Sequence, residues 1–348
     1  MKRLLLAGAA AFMISGGAQA QNVTLTMTSA SPGGATDIAA KNLAELAAAN
    51  KIATIQVQGG KTLTRTLREL AEGKIDISAS PFVLHFLMGK GLGPYSDLKK
   101  DGKGAKLQAN LRLLYPYHLA SFYLIAFQST GIDSWDKLKG KTIFNGPPRG
   151  GALISARAAI RLNTGMTEGK GYTGKQIAWG QANSLFLDRS VEAAVRPGTN
   201  PAEYMPIYMA AGKINIVSMP KAKYEAPAFR KFVKSPGKVA NMFPVSELAH
   251  YGANARIVSE DGMFRTFADT GGDMVQASMD KALAKKLTAA FIKGVPALQK
   301  KVPFAKTTLY GSVDDAKMGM CAAGVKFHPG AIEAWEEAGH KIADCAKP

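Results

Sequence analysis

Cysteine is nearly missing from this chain, with two in 348 residues. That scarcity excludes a disulfide-dense scaffold and a multi-cysteine zinc or iron–sulfur framework. Histidine is almost as rare. His85, His118, His250, His328 and His340 stand at no metal-ligand spacing from one another or from a cysteine. No Gly-x-Ser-x-Gly elbow, no His-Glu-x-x-His pair and no Walker phosphate loop occurs. Ser134 and Lys137 form a Ser-x-x-Lys fragment without its companion motifs, and Gly89, Gly91 and Gly93 alternate outside any strand-to-helix junction. No enzyme is therefore expected, and no metal or other cofactor. Acidic residues are also short: 26 against 44 Lys and Arg, a formal charge of +18. Such an excess asks for an anionic partner: nucleic acid, a membrane surface or a small acidic ligand.

Nucleic acid is the weakest of the three. The lysines at 99, 100, 103 and 106, and those between 281 and 301, have no interleaved aromatics and belong to no recognised module. They read as solvated faces. Hydrophobic residues at 47% and charged residues at 20% describe a folded chain. A length of 348 residues is enough for two lobes, since domains run to about 100–200 residues.

The first twenty residues read as a secretory signal. Lys2 and Arg3 precede an apolar stretch reaching Met13 and Ile14, and Ala18-Gln19-Ala20 offers small residues for cleavage before Gln21. The stretch is shorter than the ~20 residues a membrane span needs. Without Lys2 and Arg3, 42 basic residues face 26 acidic ones, leaving +16. An exported chain meets an oxidising compartment. An even count there favours a bridge between Cys321 and Cys345 over two buried thiols.

Strands and helices alternate along the rest. Residues 23–28 and 52–57 read as strands; a helix carrying Ile38, Leu43 and Leu46 follows the turn at 31–37 and ends near Asn50, a second spans 63–73, and a third strand runs from 75 to 81. That order argues a parallel α/β sheet. Residues 89–106, rich in Gly and Lys, read as a loop. Strands are expected at 111–114, 122–127, 142–144, 191–195, 214–217 and 274–277. Helices are expected at 152–162, 283–292 and 329–343.

Two Gly-rich turns stand at strand-to-helix junctions: Ser31-Pro32-Gly33-Gly34-Ala35-Thr36-Asp37, and Asn145-Gly146-Pro147-Pro148-Arg149-Gly150-Gly151. The first amides of a helix lack intrahelical partners, the helix dipole adds positive charge there, and glycine admits a close ligand. An anion is the natural guest. Two such turns, one in each lobe, could clamp a small anion from both sides. Arg149 lies inside the second turn, and Arg196 follows a strand in Val195-Arg196-Pro197-Gly198-Thr199. A guanidinium grips a carboxylate through two parallel hydrogen bonds. Both arginines can equally be ordinary surface residues.

Several segments together resemble the TAXI family of periplasmic solute-binding proteins of TRAP transporters. They are Ser31-Pro32-Gly33-Gly34; Leu70-Ala71-Glu72-Gly73-Lys74-Ile75-Asp76; the run from Leu138 through Gly140-Lys141 to Gly146-Pro147-Pro148, with the strand at 122–127 before it; and His328-Pro329-Gly330-Ala331-Ile332 with Glu336, Glu337 and Gly339. The resemblance spans nearly the whole exported chain. It implies a type II periplasmic-binding-protein fold, with two α/β lobes joined by two crossing hinge strands. Lobe 1 would comprise 21–121 and 268–348, and lobe 2 would comprise 122–267. The sequence departs from the family pattern at Arg149-Gly150-Gly151-Ala152, where Gly-Ser-Gly-Thr is usual, and at Leu63 and Thr66, where Ser and Asn are usual. Gly33-Gly34-Ala35-Thr36-Asp37 is instead similar to the Bug proteins of tripartite tricarboxylate transporters. These departures favour a more acidic or aromatic carboxylate as ligand.

The expected protein is a monomeric periplasmic receptor that delivers a small anionic, carboxylate-bearing solute to a TRAP-type membrane permease. Ser31, Gly33, Gly34 and Thr36, with Gly60, Thr62, Ser80 and Pro81, are the expected contacts from one lobe. Asn145, Arg149, Gly150 and Arg196 are those from the other. Tyr115, Tyr117 and His118 either line the cleft or belong to the core. The alternatives are a Bug-type receptor for tricarboxylates or aromatic carboxylates, a periplasmic sensor that has lost transport, and a periplasmic enzyme on the same fold.

Overall fold

A computed structural model describes residues 23–348. The secretory signal expected at 1–20 lies outside the described residues. Among these, no helix is long and apolar enough to cross a membrane.

The chain opens with the βαβ pattern that its punctuation demands. Strand β1 (Thr24–Thr28) feeds α1 (Ala35–Ala49), β2 (Thr54–Gln58) feeds α2 (Leu63–Ala71), and β3 (Ile77–Pro81) feeds α3 (Phe82–Lys90). β1 pairs in parallel with both β2 and β3. Helix α4 (Lys103–Ala109) then leads into β4 (Leu111–Phe127), a strand of 17 residues. In the next unit β5 (Thr142–Phe144) precedes α5 (Gly151–Thr164), β6 (Thr173–Lys175), α6 (Ala182–Leu187) and β7 (Ala193–Gly198). Helix α7 (Met205–Ala210), β8 (Ile214–Val217), α8 (Lys221–Tyr224), α9 (Pro227–Phe232), β9 (Lys238–Pro244) and β10 (Ala255–Val258) complete it. The chain returns through β11 (Met263–Gln276) to α10 (Lys281–Lys301), α11 (Asp315–Met318) and α12 (Pro329–Glu337).

The two long strands pass through both lobes. β11 pairs antiparallel with β3 over Gly271 to Val275 and with β9 over Met263 to Asp269. β4 pairs with β11 over Leu111 to Ser121, then with β7 and β8 further along. Two register shifts interrupt the β4–β11 ladder, at Asp269/Thr270 and at Asp273/Met274. Between them lie Gly271 and Gly272. A methyl group on Gly272 would stand 2.3 Å from the Tyr115 carbonyl oxygen, and one on Gly271 would stand 2.6 Å from that of Ser80. Only glycine lets three backbones approach so closely there.

The buried apolar residues form three clusters. The largest draws on residues 25–117 and 274–346. The other two, one on each side of the second sheet region, draw on residues 122–267. The cores thus separate where β4 and β11 cross. The result is a mixed α/β fold with a curled sheet and helices in two lobes.

Four expectations need correction. The strands expected at 111–114 and 122–127 are one strand, because the segment between them is paired to β11 rather than looped out. Residues 89–106 are not a plain loop. Gly91 and Gly104 serve close packing: a methyl on Gly104 would lie 2.2 Å from the Met88 carbonyl oxygen, while Tyr95 and Leu98 are buried beneath. The return strand expected at 274–277 begins at Met263 instead. Its buried Arg265, Thr266, Asp269, Thr270 and Asp273 hide it from any hydrophobic alternation. The last helix stops at Glu337 rather than 343, where Gly339 takes a positive φ.

At the C-terminus Cys321 and Cys345 are joined, with Cα atoms 5.5 Å apart. His328, in the His-Pro-Gly string, caps α12 by accepting from the Gly330 amide, and its other ring nitrogen contacts the Met279 carbonyl at 3.0 Å.

Candidate functional site

The turn after β1 is tied by its own side chains. Asp37 accepts from the Gly33 amide at 2.9 Å, from Ser29 Oγ at 3.2 Å and from Lys41 Nζ at 2.7 Å. Thr36 Oγ1 accepts from the Ala30 amide at 3.0 Å. The turn after β2 is stitched to it: Gly60 donates to the Ala30 carbonyl at 2.7 Å and Lys61 to that of Ser29 at 2.9 Å. Gly33 and Gly60 adopt φ of +77° and +73°, which an L residue resists. Ser31 is half-buried and Thr62 exposed. Ser80 is buried, donating its hydroxyl to the Ser78 carbonyl, and Pro81 is the N-cap of α3. A buried hydroxyl chain runs beneath, from Thr28 to Ser78 to Thr66, with steps of 3.0 and 3.1 Å.

Lobe 2 presents the turn after β5. Asn145 is fully buried there, and its side chain is occupied: Nδ2 donates to Glu168 Oε2 at 2.7 Å and Oδ1 accepts from Gln176 at 2.7 Å. Arg157 holds Glu168 with two bonds of 2.8 Å, and together these partners keep that carboxyl below its usual range. Arg149 is exposed. Gly150, the N-cap of α5, has φ +102°.

These turns face each other. A methyl on Gly150 would lie 3.1 Å from Thr64 Oγ1, one on Gly151 would lie 3.4 Å from Val83 Cγ1, and one on Gly33 would lie 3.8 Å from Glu203 Cβ. The first turns of α1, α2, α3 and α5 therefore all border the gap between the lobes. None of the four has a side-chain cap. The other α-helices of nine residues or more among the described residues, α10 and α12, are capped by Asp280 and His328. Among these six α-helices, the two that start away from the gap have a first-turn amide satisfied by a side chain, and the four that start at it do not.

Arg196 projects from the end of β7 into lobe 2 and is only 4% exposed. Its guanidinium lies 3.6 Å from the Tyr204 ring centroid, with Phe144, Trp179 and Tyr208 rings at 5.5 to 5.8 Å. Nη1 donates to the Tyr208 hydroxyl at 2.5 Å and to Asn183 Oδ1 at 3.1 Å. Nε is buried without a partner. No carboxylate among the described residues pairs with it, which is costly for a buried cation. The nearest acid in the electrostatic sense is Glu203. Desolvation raises the Glu203 carboxyl above its usual range, with the Arg196 charge opposing.

Sequence reading did not find Glu203, Trp179, Asn183, Tyr204 or Tyr208. The only signals were local: a Trp between small residues, and an acidic residue just after Asn200-Pro201.

Tyr115 and Tyr117 belong to the core. Tyr115 stacks on Phe291 at 3.5 Å, and Tyr117 packs on Tyr310 at 5.2 Å and donates to Asp273 Oδ1 at 3.1 Å. The Tyr310 hydroxyl donates to the Ala35 carbonyl at 2.5 Å, so this core supports the start of α1. His118 meets the Lys317 carbonyl at 2.9 Å and borders a waist cavity of about 480 Å³ beside the crossing strands.

Two α/β lobes, two crossing strands and a gap lined by helix N-termini define the class: a periplasmic solute-binding-protein fold. Residues 27–339 match the NMT1-like family, and the chain belongs to that family. A solved periplasmic transporter structure is 13% identical, with a TM-score of 0.50 over 80% of this chain and 85% of that one. A TRAP periplasmic solute-binding protein from Desulfovibrio salexigens, in complex with diglycerolphosphate, is 14% identical, with a TM-score of 0.47 and 94% of each chain covered. A TRAP periplasmic solute-binding protein from Ralstonia eutropha, with bound (S)-2-acetolactate, is 16% identical, with a TM-score of 0.47 and 90% of each chain covered. No curated protein matches the sequence.

Proposed function

We propose that this protein is a periplasmic receptor, of the TAXI type in TRAP transport, for a small anionic solute bearing a carboxylate. The observations that carry the reading are the buried Arg196 guanidinium of lobe 2, which has no carboxylate partner among the described residues, and the four uncapped helix N-termini that border the gap between the lobes. A carboxylate is the group that such a set recognises. The solute is held from lobe 1 by Ser31, Gly33, Gly34, Thr36, Gly60, Thr62, Ser80 and Pro81. From lobe 2 it is held by Gly150, Arg149 and Arg196, with Asn145 shaping the turn. Contact with both lobes favours the closed state, and the closed surface is what a TRAP-type permease engages. The protein is exported by its first twenty residues and works as a monomer.

Native mass spectrometry of freshly purified protein, followed by a thermal-shift panel of mono-, di- and tricarboxylates, tests the reading. A bound solute raises the melting temperature by linkage, and Arg196→Met removes that rise. A panel in which no carboxylate shifts the protein, or in which Arg196→Met responds like wild type, refutes it.

A further inference from the structure

The waist cavity of about 480 Å³ has walls from both sides of the strand crossing. Tyr123 and Phe243, which line it, belong to the second apolar cluster. Lys306 to Leu309 line it from the opposite side, and the residues flanking that stretch, Ala305 and Tyr310, belong to the largest cluster. At the seam Thr307 Oγ1 donates to the Asn200 carbonyl at 3.2 Å. No residue of the two Gly-rich turns lines this cavity, and neither does Arg196 or any of the rings around it.

Most of the polar groups along its walls have their protons engaged and their lone pairs free. Asn200, 8% exposed, donates through Nδ2 to the Glu247 carbonyl at 3.4 Å, which sets the orientation of its amide. Its Oδ1 is buried and has no partner. His118 Nε2 stands 2.9 Å from the Lys317 carbonyl. A carbonyl only accepts, so that nitrogen carries the ring proton. Burial lowers the His118 pKa, which keeps the ring neutral near pH 7 and leaves Nδ1 as an acceptor. Thr199 and Thr308 donate their hydroxyl protons to the Pro201 and Phe304 carbonyls, at 2.6 and 3.2 Å. Ser121 Oγ accepts from Asn241 Nδ2 at 2.8 Å, which leaves its own proton to give. Lys306 and Glu247 are exposed at the mouth and offset one another, and no other lining residue is a Lys, Arg, Asp or Glu.

We infer that the waist cavity is a second binding site, for a small uncharged polyol. An excess of acceptors calls for a guest that brings O–H donors, since a buried acceptor left unmatched is costly. A carboxylate would set its lone pairs against those of the wall. An ammonium would bring donors, but also a charge that no buried group here balances. The apolar side, from Tyr123, Phe243 and Leu309, suits the C–H face of a polyol or sugar ring. A volume near 480 Å³ falls within the range of small-molecule sites. A guest touching both walls favours the arrangement in which they meet. The assignment does not depend on the carboxylate reading of the gap.

The test is calorimetry and thermal shift with erythritol, xylitol and ribose, with succinate and butylamine as charged comparisons. All are used at millimolar concentration, below the range in which polyols stabilise proteins by exclusion from the surface. Wild type is compared with Ala120→Met and Thr307→Phe, which fill the cavity from β4 and from its exposed rim, with Asn200→Ala, and with Arg196→Met. Wild type should bind at least one polyol saturably, one molecule per chain. Each filling variant that keeps its fold by circular dichroism should lose at least tenfold in affinity. Asn200→Ala should lose about tenfold, the scale of one hydrogen bond. Arg196→Met should stay within threefold of wild type. No saturable polyol binding, or equal binding by wild type and the filled variants, overturns the assignment. Loss of polyol binding in Arg196→Met also overturns it, because the cavity would then be part of the anion gap. Binding of succinate or butylamine that the filling variants abolish, with no polyol bound, overturns the chemical class.

Discussion

Replacing Arg196 by Met should separate two quantities that usually fall together. In the ligand-free protein the guanidinium is 4% exposed and has no carboxylate partner, so its charge is a liability of several kcal/mol. Against that stand its favourable contacts. The Tyr204 face at 3.6 Å contributes up to ~2 kcal/mol in a desolvated setting. The bonds to Tyr208 and Asn183 contribute roughly 1.5–3 kcal/mol each as hydrogen bonds to a charged group. These terms nearly cancel, so removing the charge changes apo stability by no more than about 2 kcal/mol, a shift of a few degrees in melting temperature for a chain this size. The bound state has no such cancellation. Losing a bidentate, charge-assisted grip on a carboxylate costs about 3–5 kcal/mol, or roughly 10²- to 10⁴-fold in affinity. Arg196→Lys keeps the charge but not the fork, and should fall between. Thermal unfolding of the apo proteins and calorimetry with a carboxylate that binds wild type read both quantities. The reasoning is refuted if Arg196→Met loses more than ~4 kcal/mol of apo stability while binding is unchanged; the residue would then be structural.

Three other perturbations follow from the same structure. Burial pushes the Asp273 carboxyl up to about 7, with Tyr117 and Tyr115 opposing; since the native state keeps a proton that the unfolded chain releases near 4, stability falls as pH rises from about 4 to 7 and is level above, by up to roughly 4 kcal/mol. Asp273→Asn should flatten that part of the profile, and equal urea midpoints for wild type at pH 5 and pH 8 would count against it. Replacing both Cys321 and Cys345 by Ser, which are 24 residues apart, should cost ~3 kcal/mol by chain entropy; alkylation with intact-mass analysis should find no free thiol in the unreduced protein. Gly150→Ala forces a side chain onto a φ of +102°, 3.1 Å from Thr64 Oγ1 across the gap. It should weaken solute binding by about 1–3 kcal/mol through strain and hindered closure, measured by calorimetry, with a smaller loss in apo stability.

Much of the architecture was legible because the local signals agree with one another. The turns at 31–37 and 145–151 are dense in Gly and Pro and stand between apolar runs, and both are strand-to-helix junctions in the fold. Arg196 attracted attention because it ends an apolar run, and it is one of two buried guanidiniums of lobe 2; the other, Arg265, is paired with Asp261. Where reading failed, buried polar residues or close glycine contacts broke the usual patterns. β11 carries two buried aspartates, so its period is hidden; one of them, Asp269, pairs with the equally buried Lys238. Gly91 and Gly104 looked like loop residues because sequence does not distinguish a glycine that bends from one that lets two segments touch.

By itself the sequence determined the alternation of strands and helices and the chemistry of the turns, since both depend on residues a few positions apart. Only the tertiary structure decided which charges are unpaired and what they face. Gly33 and Glu203 belong to different lobes and meet only when those lobes pack. Arg196 is caged by Phe144 of β5, Trp179 just before α6, and Tyr204 and Tyr208 of α7 and its N-cap, three segments that lie apart in sequence. The energy of a charge is set by its surroundings in space, through desolvation and distance. A list of +18 net charge therefore could not distinguish dispersed surface lysines from the buried guanidinium without a carboxylate partner on which the proposed site turns.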